Sequence, residues 1–508
     1  MNKNLYALFE SRFPADRSKL FLDCVDGPGF SYDDLDRETA KVAGLLRQLG
    51  IQAGDRVAVQ VDKCADNVFL YLGCLRAGVV YLPLNTAYTS AEVEYFLKDA
   101  GPRMVVCRPE MLEAIRQVAI HAGVEHVLAL DPEGNGSFQN ARDLADPLQE
   151  IEPRQEGDLA GICYTSGTTG RSKGAMLSHG NLAANALTLH KIWGWQDGDV
   201  LLHALPIFHV HGLFIALHCA LLNGSTVILM NKFDAYEVVR QLPRATVFMG
   251  VPTFYTRLLA LGEFDKLACQ NMRLFISGSA PLLEETFHRF QERTGHTILE
   301  RYGMTEAGMI TSNPYKEDRI AGTVGPALPD VEVRVTDEDG SVLPVGETGI
   351  LEIRGPNVFQ GYWQMPDKTA AEFRADGYFI TGDMARLDEK GVVTIVGRAK
   401  DLVISGGYNV YPKEVELVLD EIPGIDESAV IGVPHPDFGE AVVAVVTRDA
   451  STGQPDEAAV VQAARTKLAG FKSPKEVFFV DSLPRNSMGK VQKNVLRDNY
   501  QDIFSVVG

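Results

Sequence analysis

A chain of 508 residues, 45% hydrophobic and 23% charged, is too long for one hydrophobic core and too apolar to stay unfolded, so two or more globular domains are expected. Its formal net charge of -19 argues against a general binder of nucleic acid or anionic membrane, which needs surplus positive surface. Seven cysteines, an odd number with no C-x-x-C spacing, suggest neither a disulfide framework nor a zinc site and predict reduced thiols.

The start, Met1-Asn2-Lys3-Asn4, lacks the apolar core of a signal peptide, and the expectation is a cytoplasmic protein. Ser31 reads as a helix N-cap, with Leu35, Val42, Leu46 and Leu49 following at helical spacing and Gly50 as the stop. Arg56 to Gln60 reads as a buried strand, Asn67 to Ala77 as a helix and Val79 to Leu82 as a strand. Ser90 to Cys107 repeats helix, break and strand. This alternation predicts an α/β domain with a largely parallel sheet. The longest apolar run, Leu213 to Leu222, is broken by His218 and is too short to span a bilayer.

Near residue 322 the pattern changes. Val331, Val333 and Val335 alternate with polar residues, Asp339-Gly340 supplies a turn, and Gly349 to Ile353 continues the β character, which predicts a small barrel or antiparallel sheet. After Gly397-Arg398 a smaller α+β unit follows, with a helix opened by Pro412. The predicted domains are therefore 1–398 and 399–508, divided close to Lys400.

The most informative segment is Thr165-Ser166-Gly167-Thr168-Thr169-Gly170-Arg171-Ser172-Lys173-Gly174. Its glycines let backbone amides approach an anion, its hydroxyls add donors and Lys173 adds charge, so it suits a polyphosphate. It is not a Walker loop, because Gly170 is followed by Arg171 and Lys173 by Gly174. Four further segments stand in order: Arg301-Tyr302-Gly303-Met304-Thr305-Glu306, Thr381-Gly382-Asp383, Gly397-Arg398-Ala399-Lys400-Asp401 with Ser405-Gly406-Gly407, and Pro484-Arg485-Asn486 with Gly489-Lys490. Together these motifs resemble the superfamily of acyl-CoA synthetases, luciferases and peptide-synthetase adenylation domains.

The resemblance implies a large layered αβ N-terminal domain with a small β-barrel, followed by a mobile α+β C-terminal domain. It also implies a two-step reaction using ATP, Mg2+ and CoA, in which a carboxylate attacks the α-phosphate and a thiol then takes the acyl group. On that resemblance the loop from Thr165 to Lys173 holds the β- and γ-phosphates, and Glu306 with Thr165 holds Mg2+. Asp383 accepts from the ribose hydroxyls, and Arg398 is a second contact to the nucleotide. Ser279-Ala280-Pro281, with Glu300, Tyr302, Gly303, Met304 and Thr305, surround the rest of the nucleotide. Lys490 is the catalytic lysine, Lys400 the hinge, Gly406 and Gly407 the path for pantetheine, and His209 the gate of the acyl pocket. Lys490 also becomes a candidate for acylation by a lysine acetyltransferase, reversed by a deacetylase.

Taken singly, the bland readings are a solvated Glu306 beside a helix, surface ion pairs for Asp383 and Arg398, and core histidines at positions 209 and 211. Positive charge sharpens the substrate. Arg301 stands where synthetases for neutral acids carry a small residue, and Arg257 lies in a segment that packs beside the pocket in the family. With Ser277 or Ser279 these would hold a second carboxylate, a pattern resembling malonyl-CoA synthetases. The competing reading pairs the arginines structurally with Glu300. Also open are a ligase for methylmalonate or a neutral short or medium acid, a carrier-loading adenylation enzyme, a luciferase-type oxygenase and a non-catalytic nucleotide-binding module.

Overall fold

A computed structural model describes residues 2–25, 27–165, 172–405, 408–435, 438–449, 451–468, 470–486 and 489–504. Ser166 to Gly170, Gly406 and Gly407 lie outside the described residues. The chain forms two compact units, one of Met1–Ala321, Gly325–Glu332 and Arg354–Phe379, the other of Gly322–Val324, Val333–Ile353 and Ile380–Gly508.

The larger unit holds two sheets. In the first, strands His126–Ala129, Met104–Cys107, Arg56–Gln60, Val80–Pro83, Leu159–Thr165 and Lys173–Ser178 lie in that order. All neighbours are parallel except the last two, which form an antiparallel hairpin. The helix predicted from Asn67 to Ala77 spans Ala65–Arg76. Ser31 caps Tyr32–Gln48 through a capping box with Asp34, and Thr89 caps Ser90–Ala100 in the same way with Glu92.

In the second sheet, Gly308–Ser312, Ile298–Met304, Leu274–Ser277, Val247–Gly250, Val200–His203, Thr226–Leu229, Leu20–Cys24 and Gly29–Ser31 lie side by side. The six inner strands are parallel and only the two edges run antiparallel. Such a sheet needs both faces covered, which matches its fully buried strands Leu274–Ser277 and Val247–Gly250. The apolar run predicted from 213 to 222 is a π-helical stretch, His211–Ala216, leading into the helix Leu217–Leu222. Among the described residues no helix is long and apolar enough to cross a membrane.

The smaller unit joins two β systems. Strands Glu332–Thr336, Gly349–Arg354, Phe379–Leu387 and Val392–Arg398 are successive neighbours in one sheet, where the sequence predicted a small barrel or sheet. The other is built on the long antiparallel pair Ile425–His435 and Gly439–Arg448, with Val403–Ser405, Tyr408–Val410 and Glu476–Phe479 added. Alternation along Gly439–Arg448 serves both faces of that sheet. Val442, Ala444 and Val446 enter a core with Val415 and Leu419, while Ala441, Val443 and Val445 meet Leu483 and Leu496. Pro412 occupies the first turn of its helix, Pro412–Asp420.

Candidate active site

The phosphate-loop segment connects the hairpin Leu159–Thr165 and Lys173–Ser178, with Thr165 and Lys173 paired across it. A strand follows, not a helix, as the failed Walker match requires. Lys173 is 8% exposed, its Nζ 3.0 Å from Glu372 Oε1 and 4.1 Å from the centre of the Tyr362 ring. Tyr362 links this cation to Glu306, because its hydroxyl lies 2.7 Å from Glu372 Oε2 and 3.1 Å from Glu306 Oε1. The Thr165 hydroxyl donates to the same Glu306 oxygen at 3.4 Å.

Glu306 is buried in the turn between strands Ile298–Met304 and Gly308–Ser312. Its burial in a strand-to-strand turn sets aside the bland reading of a solvated glutamate beside a helix. Its turn is pinned from three sides. Phe359 N donates to Glu306 O at 2.7 Å, Asn357 Nδ2 to Ala307 O at 2.8 Å, and Asn185 Nδ2 to Met309 O at 2.8 Å. A side chain at Gly303 would run into the Gly308 carbonyl, so the close hairpin requires glycine there. Tyr302, Met304 and Thr305 are half-buried along this strand end and turn.

One carboxylate and one hydroxyl offer hard oxygen donors, and no group of three or more His, Cys, Asp or Glu side chains suited to a metal exists among the described residues. That donor set fits Mg2+ carried on phosphates, which takes few protein ligands, and does not fit an all-protein metal cage.

The acyl-pocket candidates meet at the C-terminal ends of the second sheet's strands. Ser277 ends strand Leu274–Ser277, pairs in register with Glu300 and is fully buried. Arg301 follows Glu300 and is 2% exposed. Successive strand residues point to opposite faces, so the two diverge. Glu300 Oε1 accepts from Leu282 N at 3.0 Å and thereby anchors the loop of Ser279, Ala280 and Pro281. The structural Glu300–Arg301 ion pair is not formed.

Arg301 instead lies against Gly278, where any side chain would displace the guanidinium. Its Nε and Nη2, the Ser277 hydroxyl and His211 Nε2 are buried with no hydrogen-bond partner among the described residues. Burial pushes the Arg301 guanidinium down to about 9. A guanidinium holds its proton in proteins, so this depression marks a charge that an anion would stabilise.

His211 Nδ1 is 3.2 Å from the Ser279 hydroxyl, and burial, followed by the Arg301 charge, holds the ring well below the usual imidazole range. Ser279 adopts φ of 71°, a left-handed conformation costly for a non-glycine residue and concentrated at functional sites. His209 is half-buried, and its Nδ1 accepts from His211 N at 3.3 Å. Arg257 differs from Arg301 in burial. It is exposed on helix Pro252–Leu259, whose Tyr255 and Leu258 face the core, so only one of the two arginines is buried.

In the smaller unit, Asp383 and Arg398 are cross-strand partners, with Arg398 Nε 2.6 Å from Asp383 Oδ1. Asp383 is 3% exposed, and the Thr381 hydroxyl accepts from its backbone N–H at 3.1 Å. Lys400 is exposed in the short turn Ala399–Asp401, and Lys490 is exposed. Lys490 N donates to Asn486 Oδ1 at 3.0 Å and Asn486 N to Lys490 O at 2.9 Å, so one asparagine closes the loop that presents the lysine. Tyr362 and Glu372 escaped the sequence reading, since no motif marks them, and His211 was assigned there to the core.

Residues 10–363 match the family described as AMP-binding enzyme, and residues 414–490 match the AMP-binding enzyme C-terminal domain. The chain is 36% identical over 502 residues to the mitochondrial malonate–CoA ligase of Mus musculus, covering 91% of this chain and 85% of that protein. It is 34% identical to a long-chain-fatty-acid–CoA ligase of Escherichia coli, covering 91% of this chain and 88% of that protein. The ATP-bound structure of MatB from Rhodopseudomonas palustris superposes with a TM-score of 0.97 at 54% identity, covering 99% of this chain and 100% of that one. Phosphate-loop hairpin, pinned glutamate, aspartate–arginine pair and loop-borne lysine thus stand in a chain that belongs to the AMP-binding family of acyl-adenylate-forming acid–thiol ligases, which use ATP and CoA as substrates.

Proposed function

We propose that this ligase acts on malonate, converting ATP, malonate and CoA into malonyl-CoA, AMP and pyrophosphate through a malonyl-adenylate. The observation that carries the reading is Arg301, a buried guanidinium with two donor nitrogens lacking partners among the described residues, on the strand beside that of the buried Ser277 hydroxyl. A neutral acid would leave that charge uncompensated in a dry site, whereas a second carboxylate accepts both donors. The similarity to a malonate–CoA ligase and to MatB supports the same reading.

In the first step a malonate oxygen bonds to the α-phosphorus as the bond to the pyrophosphate oxygen breaks. In the second, the CoA sulfur bonds to the acyl carbon and AMP leaves. Two anions must approach in the first step, so placed cations and alignment dominate its barrier. Thr165 to Lys173 hold the terminal phosphates, Asp383 holds the ribose, and Arg398 makes a second contact to the nucleotide. Lys490 offsets the charge that develops between carboxylate and α-phosphate, and His209 flanks the acyl entrance. Glu306 and Thr165 hold Mg2+, which supplies neutralisation of phosphate charge. The domains divide between residues 398 and 399, with Lys400 as the hinge and Gly406-Gly407 on the thiol's path.

Pyrophosphate release with malonate, methylmalonate, butyrate and a long-chain acid, with and without CoA, tests the substrate. Release with malonate, together with malonyl-CoA and AMP as products, is expected. Turnover confined to the monocarboxylic acids overturns the malonate reading, and transfer only to a carrier protein overturns the CoA ligase.

Tyr362→Phe is expected to raise the Mg2+ concentration for half-maximal pyrophosphate release roughly tenfold, since a hydrogen bond to a charged group contributes about 1.5 kcal/mol. Magnesium titration of the rate, with calorimetry of Mg·ATP binding, checks this. An unchanged half-saturation point removes Tyr362 from the cation's support. Exposure also leaves Lys490 accessible to a lysine acetyltransferase, and neutralising its charge would silence adenylation. Intact pyrophosphate release by homogeneously acetylated protein dismisses that control.

A further inference from the structure

Lys63 lies between strand Arg56–Gln60 and helix Ala65–Arg76, in the first sheet's layer, and is only 5% exposed. Its Nζ reaches across to the end of strand Val200–His203 in the second sheet. There it meets His203 Nδ1 at 2.8 Å, His203 O at 2.7 Å and Leu205 O at 3.0 Å. His203 Nε2 in turn lies 3.0 Å from Gly212 O.

These four contacts decide a charge. Carbonyl oxygens only accept, so the bonds to His203 O, Leu205 O and Gly212 O each need a hydrogen from nitrogen, and the Nζ–Nδ1 contact needs one more. A neutral lysine and a neutral histidine together supply three. Four hydrogens mean that the Lys63–His203 pair carries one positive charge, although burial pulls both groups downward. No carboxylate pairs with Lys63 among the described residues.

The pair also holds a tightly closed segment. Gly212 belongs to the π-helical stretch His211–Ala216, and a side chain there would strike Pro206 O, so the turn closes tightly on itself. The same stretch begins at His211, which faces Ser279 and senses the Arg301 charge. Uninterrupted polar contacts therefore run from Lys63 through His203 to the backbone that presents His211.

We propose that Lys63 is a positioning residue for acid selection, which through His203 fixes the π-helical wall of the acyl pocket and adds a second buried positive charge behind it. The inference rests on the reading of the pocket as one for a doubly anionic acid. It assigns a residue far from every sequence motif to substrate choice.

The test uses the whole enzyme with Lys63→Met, and with Lys63→Gln, which keeps two donors and removes the charge. KM for malonate is expected to rise roughly tenfold or more in Lys63→Met, with KM for ATP within about twofold. The malonate-to-butyrate ratio of kcat/KM is expected to fall by roughly tenfold in both variants. Equal losses toward ATP and acid, or an unchanged ratio, overturn the proposal by showing a merely structural strut. If Lys63→Met does not fold, Lys63→Gln decides through the same ratio. Failure of the unaltered enzyme to turn over malonate sinks the malonate reading instead, and the KM comparison then runs with the acid it accepts.

Discussion

Lys490→Ala is expected to slow malonyl-adenylate formation roughly 10²–10³-fold, while thioester formation from supplied malonyl-adenylate and CoA persists. The magnitude follows from removing one placed donor where charge develops, about 3–4 kcal/mol. The effect should be local. Lys490 is exposed, and its loop is closed by backbone and side-chain bonds of Asn486, by the bridge Arg485–Val491 and by Gly489 at φ of 74°. None of these uses the lysine side chain, so the fold should survive alanine. Pyrophosphate release measures the first step, and thioester yield from synthetic adenylate measures the second. Equal losses in both would remove Lys490 from its assigned step.

The second large effect is expected at Arg301. Arg301→Met should lower kcat/KM for malonate by about 30-fold or more, corresponding to about 2 kcal/mol for losing a buried charge partner. Butyrate should gain relative to malonate. Stability should move the other way. A buried guanidinium without a carboxylate partner is costly in the free protein, and an apolar side chain of similar length removes that cost, so Tm should hold or rise. Arg257→Ala should give a smaller loss, because that side chain is exposed. Steady-state kinetics with both acids and thermal melts of the free variants check these outcomes. Unchanged malonate kinetics in Arg301→Met would end the carboxylate-binding role.

Much of the scaffold is written in short-range pattern. Capping boxes at Ser31 and Thr89 depend on residues three apart, and the alternation along Gly439–Arg448 needs only the period of the pleat. Arg257 was legible too. Tyr255 and Leu258 share a helix face at three-residue spacing, and position 257 falls off it, which leaves its side chain exposed.

The motifs likewise singled out Lys173, Glu306, Asp383, Arg398 and Lys490 as candidates. Pattern alone did not reach their partners. Tyr362 joins Glu306 to Glu372, and Lys63 meets His203 at a separation of 140 residues. Nothing local in a tyrosine or a lysine announces such a contact.

By itself, then, the sequence determined the class of enzyme through its motifs and the α/β scaffold through its capped helices and strand patterns, because caps, periodicity and glycine-rich loops act through near neighbours. Only the tertiary structure decided which cation is buried at the acyl site, which carboxylate supports Lys173 and what charge Lys63 shares with His203. Those depend on desolvation and on partners brought together by distant strands, and both come into being only when the chain has folded.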